Sequence, residues 1–262
     1  MKRQVRKNNK YWRERAIREE AGVDNLSTET SQKMAKLYRR SYRRLENDIN
    51  ALYAEILDKG LENISRTDLY QLQHYTALRE AVAKESRELA SAQDEALSSL
   101  LDHIAVGTYE SNCEALGVEF SIVSQMQAKA IATENWSGIT FSNRIWKNAD
   151  GFTTRVMDDV ESLVTGGRMP ADVKKKLMED YNVSWNEADR LIRTESSRAY
   201  NKAARDSYTA AGIDKCEYLA ESDCCDVCRE YKGRKMPILD FPELPMHPNC
   251  RCTIAPIVEG FK

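Results

Sequence analysis

The sequence predicts a mainly α-helical protein with a long N-terminal helical hairpin, a helical body and a small C-terminal α+β module. Three observations support this fold class. Glycine and proline are scarce, with 11 and 6 among 262 residues, and the prolines are concentrated in the segment 216–256. Upstream, apolar residues recur at three- and four-residue steps, which is the period of one face of an α-helix. Six of the seven cysteines also fall within 216–256, so this segment differs in kind from the rest.

We divide the chain into four regions on these patterns. They are a basic N-terminal arm (1–26), a long helical hairpin (27–107), a helical body (108–212) and a cysteine-rich module (213–262).

The hairpin is predicted from two apolar stripes separated by a short turn. Capping residues near Ser27 are expected to begin the first helix, and Gly60 to end it. A second start at Ser65 and a stop at Gly107 bound the second helix. Two helices of about thirty and forty residues joined by so short a turn are expected to lie antiparallel.

The body is predicted to consist of shorter helices. Ser184 and Glu187 form a capping box that is expected to begin a new helix, and a short strand is expected to follow at Cys216–Leu219. Chain breaks are expected at glycines, namely Gly117, Gly138, Gly151, Gly166–Gly167 and Gly212.

Charge is distributed unevenly along the chain. Residues 1–44 hold 14 Lys and Arg against 5 Asp and Glu, whereas the whole chain has a net charge of -2. A basic segment of this kind is typical of contact with a polyanion or an acidic protein surface. The candidate nucleic-acid or partner-binding residues are Arg3, Arg6, Lys7, Lys10, Arg13, Arg39, Arg40, Arg43 and Arg44. Trp12 is the candidate anchor of the arm, although a solvated helix end explains the same composition.

The cysteine-rich module contains two short motifs with the spacing of metal ligands. A C-x-x-C turn brings two thiolates to one tetrahedral ion, and an H-x-x-C turn repeats that geometry with an imidazole. The favoured ligand set is Cys225, Cys228, His247 and Cys250, and Cys252 or Cys224 can replace one member. The module therefore resembles a zinc knuckle, which is too small to bury a core of its own.

Other interpretations of these cysteines remain open at this stage. Disulfides or buried packing explain some cysteine clusters, but the cysteine count is odd and the first twelve residues are too polar for a secretory leader. A Cys3His shell has no open coordination position, so the site is expected to be structural, with one ion per chain. The histidine favours zinc over iron. No apolar run approaches the roughly 20 residues that a spanning helix needs, so we do not expect a membrane protein.

A family resemblance emerges from the motifs taken together. Arg193-Thr194-Glu195, followed by Ala199 and Asn201, then a C-x-x-C, and a closing His-Pro-x-Cys-Arg-Cys over 247–252, resembles the phage Mu F-like head morphogenesis family. Members are minor head, or minor capsid, proteins of tailed bacteriophages. The resemblance covers about residues 130–256, including Trp136-Ser-Gly138 and Gly167-x-x-Pro170.

The resemblance implies a virion component inside the phage head, present in the host cytoplasm during assembly. It implies action with the portal and with other head or scaffold proteins during procapsid assembly. Contact with packaged double-stranded DNA and a role in its delivery are also implied, as is a zinc site at the four favoured ligands.

Two alternatives come from other functional classes. One is a stand-alone zinc-dependent protein that binds nucleic acid through its basic arm. The other is an enzyme, either a metal-dependent nuclease using His247 or a transferase using Arg193-Thr194-Glu195. We do not expect an enzyme, because His247 cannot be both a zinc ligand and a general base. Glu195 is more simply explained by an ion pair with Arg198, three residues away.

Overall fold

The computed structural model describes residues 9–258, of which 74% are helical. The mainly α-helical class is thereby confirmed. In chain order the helices are α1 (Asn9–Asp58), α2 (Arg66–Gln71), α3 (Gln73–Leu116), α4 (Ile122–Ala132), α5 (Phe141–Thr165), α6 (Pro170–Ala210) and α7 (Asp226–Arg229). The strands are β1 (Lys215–Leu219), β2 (Lys235–Pro237) and β3 (Thr253–Pro256). Within these residues, every helix is too short or too polar to cross a bilayer.

The chain divides into two compact units. The first unit contains the described residues of 9–30, 97–136 and 190–258, and the second unit contains Ser31–Ala96 and Ser137–Asp189. Each unit therefore combines segments that are distant in sequence, and α1, α3 and α6 contribute residues to both. The four regions drawn from composition remain a prediction.

In the second unit, the segments of α1 and α3 run antiparallel, as the hairpin pattern predicts. Arg44 Nη1 lies 2.7 Å from Glu85 Oε1. Further along α1, the Glu55 carboxylate accepts the backbone N–H groups of Gln73 and His74. As the residue number increases along α1, the residue number of its contact in α3 decreases, which is the pattern of antiparallel helices. The apolar stripe of α1 is buried in this unit, at Leu45, Ile49, Leu52 and Ile56.

Several predicted helix boundaries are confirmed by the cap geometry. The backbone of Gly60 has φ 62° after the end of α1, a conformation that costs glycine nothing. Ser65 caps α2, because its hydroxyl accepts the Asp68 N–H and the Asp68 carboxylate accepts the Ser65 N–H. Gly166 caps α5, and Gly212, with φ 74°, follows α6.

Other predicted boundaries are wrong, because helices continue through residues that often end them. The chain is already helical at Asn9, and Ser27 does not cap a new helix; its hydroxyl donates to the Val23 carbonyl oxygen inside α1. α3 passes through Gly107 and α5 passes through Gly151. A glycine inside a helix costs only about 1 kcal/mol. Burial of the residues around it, such as Phe152 on α5, outweighs this cost.

The capping box predicted at Ser184 is also absent. α6 runs unbroken from Pro170 to Ala210, so Ser184 lies in its interior. In the second unit the Ser184 hydroxyl lies 3.4 Å from the Tyr38 hydroxyl and is nearly buried. A partner from another helix thus replaces the backbone N–H that a cap would bind.

In the first unit, a small antiparallel sheet packs near the C-terminal part of α6. The strand order is β2-β1-β3, with Cys216 of β1 opposite Met236 of β2 and Pro256 of β3. The predicted strand at 216–219 is confirmed, with one extra residue at its start. The core beneath the sheet joins α6 and the module through Tyr208, Tyr218 and Ile254.

Candidate metal centre

The four favoured ligands of the C-terminal module lie on two turns of the first unit. Cys225 is the N-cap of the short helix α7, and Cys228 lies within that helix. The second turn spans 247–250, where the Cys250 N–H donates to the His247 carbonyl oxygen. Asn249 in this turn has φ 61°, a left-handed conformation that asparagine tolerates better than most residues.

These turns bring five potential ligands into two overlapping groups. One group is Cys225, Cys228 and His247, and the other is Cys228, Cys250 and Cys252; in each, the ligand atoms lie within 4.8 Å of one another. Cys228 Sγ lies 3.3 Å from His247 Nε2 and 3.7 Å from Cys250 Sγ. A tetrahedral zinc ion with Zn–S bonds of about 2.3 Å separates its sulfur ligands by roughly 3.8 Å. The two Cys228 separations are close to those of neighbouring ligands on a tetrahedral ion, and the four favoured ligands are divided between the two groups, which share Cys228.

The predicted ligands differ in their surroundings. Cys228, Cys250 and Cys252 are buried, His247 is half-buried and Cys225 is exposed. Cys224 belongs to neither group among the described residues, so Cys252 is the stronger alternative. All seven cysteines are free thiols in the structure, without a disulfide.

The histidine is oriented by a neighbouring carbonyl group. Nδ1 of His247 lies 2.9 Å from the Pro248 carbonyl oxygen, which can only accept, so Nδ1 carries the proton and donates. In the neutral imidazole, the lone pair is then on Nε2, the atom that faces Cys228. This is the tautomer that a metal ligand needs.

The buried thiols affect each other's protonation. Burial raises the pKa of Cys228 to about 11. The hydrogen bond between Cys250 and Cys252 raises the pKa of Cys250 and lowers that of Cys252 to about 5. The thiolate form is therefore favoured at Cys252 and disfavoured at Cys228 and Cys250. A bound cation would favour the thiolate form at every sulfur.

The helix α6 holds the second turn and the residues after it in place. The Asn249 N–H donates to the Thr194 hydroxyl, at 3.2 Å, and that hydroxyl donates to the Arg190 carbonyl oxygen, at 2.7 Å. The Asn201 amide donates to the Cys252 carbonyl oxygen, at 3.1 Å. Thr194 and Asn201 thus position the chain on either side of Cys250. Their positioning role is not apparent from the sequence pattern, although both belong to the motif that carries the family resemblance.

Glu195 makes the local ion pair expected from the sequence. Its Oε2 lies 2.8 Å from Arg198 Nε, and both side chains are buried. The Trp136 indole N–H also donates to this carboxylate, at 3.1 Å. The arginine in turn donates through Nη2 to the Ile131 carbonyl oxygen, at 2.9 Å. The Glu195 carboxylate thus holds together α6 and the segment after α4.

The cations proposed to bind a polyanion have different environments. Arg3, Arg6 and Lys7 lie outside the described residues. Lys10 pairs with Glu14, Arg13 with Glu217, and Arg44 with Glu85. Only Arg39, Arg40 and Arg43 of the proposed set are exposed and make no ion pair within residues 9–258.

The role suggested for Trp12 is wrong. Its side chain is 2% exposed, so it is part of the core of the first unit and does not anchor a partner. The many basic residues around Trp12 obscure the apolar periodicity that would otherwise predict its burial.

Replacing Glu195 by Gln should lower the free energy of unfolding by about 3–5 kcal/mol, because Arg198 would remain buried without its counter-charge. Glu14→Gln is the matched control: its pair with Lys10 is exposed, and such pairs contribute about 1 kcal/mol or less. Urea denaturation followed by circular dichroism measures both. Equal stability of the two variants would contradict a structural role for the Glu195–Arg198 pair.

Comparison with known proteins finds one family that is similar to the segment containing this site. Residues 154–255 match the family described as Phage Mu protein F like protein. No curated protein and no solved structure matches the chain significantly. The matched segment includes the Arg-Thr-Glu motif of α6 and every cysteine and histidine of the centre. The resemblance drawn from these motifs is therefore confirmed: residues 154–255 of this chain match the phage Mu F-like family.

Proposed function

We propose that this protein is a phage head-associated protein that acts in head assembly through a metal-stabilised C-terminal module. The observation that supports this most directly is the family match at 154–255, whose motif residues converge on the cysteine and histidine centre. We place the protein in the virion, inside the head, and in the host cytoplasm during assembly. Its partners would be other head or scaffold proteins, among them the portal.

The proposed metal is one structural zinc ion per chain. Thiolate and imidazole ligands suit zinc, and the Cys228 contacts have the separations of a tetrahedral shell. The preferred ligands are Cys225, Cys228, His247 and Cys250, with Cys252 as the alternative to one of them. Cys228 belongs to both groups, so it would be a ligand in either arrangement. When bound, the ion would link the two turns that carry the ligands.

An enzymatic role is not part of this proposal. Four protein ligands would leave zinc no open position for a water or a substrate. Glu195 and Arg198 pair with each other in the core, so neither is free for acid–base chemistry. A metal-dependent nuclease would be revealed by DNA cleavage that His247→Ala abolishes in a folded protein.

Replacing Cys228 by Ser should remove about one zinc ion per chain, because every arrangement of the site uses this sulfur. Elemental mass spectrometry of protein purified without chelator measures the zinc content. Cys113→Ser is the matched control, since Cys113 is equally buried in the first unit but lies outside both ligand groups.

The same measurement on Cys225→Ser and Cys252→Ser would separate the two ligand sets. Zinc lost only with Cys225→Ser supports the preferred set, and zinc lost only with Cys252→Ser supports the alternative. A wild-type protein without metal would contradict the zinc proposal.

Head assembly gives a second prediction. Cys228→Ser should reduce the amount of this protein in purified phage heads, because a module without its metal would lose its folded surface. Quantitative mass spectrometry of heads from cells expressing each variant measures this amount, and Cys113→Ser should be incorporated like the wild type. Absence of the wild-type protein from heads would contradict the proposed function itself.

The exposed cations of α1 support a contact with DNA. Lys33, Lys36, Arg40 and Arg43 recur at three- and four-residue steps, with Arg39 beside them, and all are exposed. At 1.5 Å per residue, the row spans about 15 Å, a length over which duplex DNA presents several phosphates. This basic row of the second unit also suits the second candidate function, a stand-alone nucleic-acid-binding protein.

Changing Arg39, Arg40 and Arg43 together to Gln should weaken binding to duplex DNA. The slope of log K against log salt concentration should become shallower by about 2 to 3, because about three phosphate contacts are lost. Fluorescence anisotropy at several salt concentrations measures both. The control changes Arg87, Lys147 and Lys175 to Gln, three exposed cations of the same unit. Equal weakening by both triple variants would show that net charge, and not this row, determines binding. Strong DNA binding by a protein absent from heads would favour the stand-alone function.

A further inference from the structure

The first unit contains a cavity that the metal centre does not use. It has a volume of about 370 Å³ and lies between the C-terminal half of α6 and the segment 239–244. Its walls combine charged residues of α6 with Trp136 and apolar residues of the module.

Two buried polar atoms of this wall lack hydrogen bonds. Arg198 and Asn201 are each 3% exposed. Nη1 of Arg198 makes no hydrogen bond within the described residues, although it lies 3.5 Å from the Glu134 carboxylate. Oδ1 of Asn201 also lacks a donor, while its amide nitrogen is held by the Cys252 and Ser197 carbonyl oxygens. Buried polar groups in native proteins are nearly always paired, so a ligand that offers an acceptor to Arg198 and a donor to Asn201 would complete both residues.

The remaining wall is apolar. Phe241, Leu244 and Ile254 line the cavity, and Leu239 is 78% exposed beside them. These side chains give a ligand an apolar surface on this side of the cavity.

A second cavity adjoins the first along α6. A neighbouring cavity of about 590 Å³ shares Glu134, Lys202, Asp206 and Thr209 with the first. It extends along α4 to Tyr109, and its lining is largely apolar. We call the two cavities together the α6 groove.

The charges of the α6 groove argue against a phosphate polymer. Lys202 is paired with Asp206, at 3.0 Å, and Arg198 with Glu195, at 2.8 Å. Arg205 also lines the groove and donates to the Leu239 carbonyl oxygen, at 3.3 Å. These three cations are balanced by the carboxylates of Glu134, Asp206 and Glu243, so a phosphate backbone would meet a wall without net positive charge. A neutral chain that offers both a hydrogen-bond acceptor and a donor has no such penalty.

We propose that the α6 groove binds an extended peptide segment of a partner protein. A backbone carbonyl oxygen of the peptide accepts from Arg198 Nη1, and a backbone N–H donates to Asn201 Oδ1. An apolar side chain packs against Phe241 and Leu239, and the peptide continues along α4. This inference rests on the proposed assembly function, because it names the surface that engages another head protein.

The experiment selects peptides from a displayed library of random linear sequences against the full-length, zinc-loaded protein. The selected peptides are then synthesised, and their binding affinities are measured by fluorescence anisotropy. Leu239→Asp should weaken their binding by about tenfold or more, because it places a charge at the apolar wall. Leu57→Asp is the control, since Leu57 is also 78% exposed but belongs to the second unit; its affinity should stay within about twofold of wild type.

Two further readouts test the hydrogen bonds. Titration of the labelled protein with a selected peptide should shift the indole N–H signal of Trp136 in nitrogen-15 NMR spectra. The Trp136→Phe variant identifies that signal by its loss. N-methylation of successive peptide bonds should abolish binding at one position, where the N–H meets Asn201. The proposal would be overturned if the selected peptides bound the Leu239→Asp variant as tightly as the wild type. It would also be overturned if N-methylation at every tested peptide bond left binding unchanged.

Head incorporation separates this inference from the function on which it rests. If the wild type enters heads but no library peptide is enriched over Leu239→Asp, the groove proposal fails and the assembly function stands. If peptides bind as described but the wild type is absent from heads, the assembly function fails and the groove stands.

Discussion

The first unit depends on a helical segment that is polar in sequence yet buried on every side. Residues 194–201 of α6 are all buried, and they include Thr194, Glu195, Arg198 and Asn201. A buried polar side chain costs several kcal/mol unless it is hydrogen-bonded. Each of these residues must therefore find partners outside its own helix, and this requirement determines which segments can pack here.

The partners come from three distant parts of the chain. The Trp136 indole and the Ile131 carbonyl group bind the Glu195–Arg198 pair. On the other side, the Asn249 N–H and the Cys252 carbonyl group bind Thr194 and Asn201. Tyr200, in the same segment, donates to the Ala16 carbonyl oxygen of α1. One short stretch of helix thus orients both the helical part of the unit and the turn that carries Cys250.

This arrangement explains how so small a module maintains a ligand cluster. A segment of this size buries too little apolar surface to fold without a metal or a larger support. α6 supplies the support on one side, and the proposed zinc would supply the link between the two turns. Arg198 and Asn201, which each keep one unpaired polar atom, also line the α6 groove, so the same segment of helix contributes to the metal centre and to the proposed peptide site.

The sequence by itself determined the helical class, the stop at Gly60, the cap at Ser65, the strand at 216–219 and the ligand motifs. Each is a local pattern, fixed by backbone conformation or by residue spacing within a few positions. The tertiary structure decided where helices continue, since burial outweighs local capping at Ser27, Gly107, Gly151 and Ser184. It also decided that Trp12 is buried and that Cys252 lies within ligand distance while Cys224 does not. These outcomes depend on contacts between residues far apart in the chain, which spacing along the sequence does not encode.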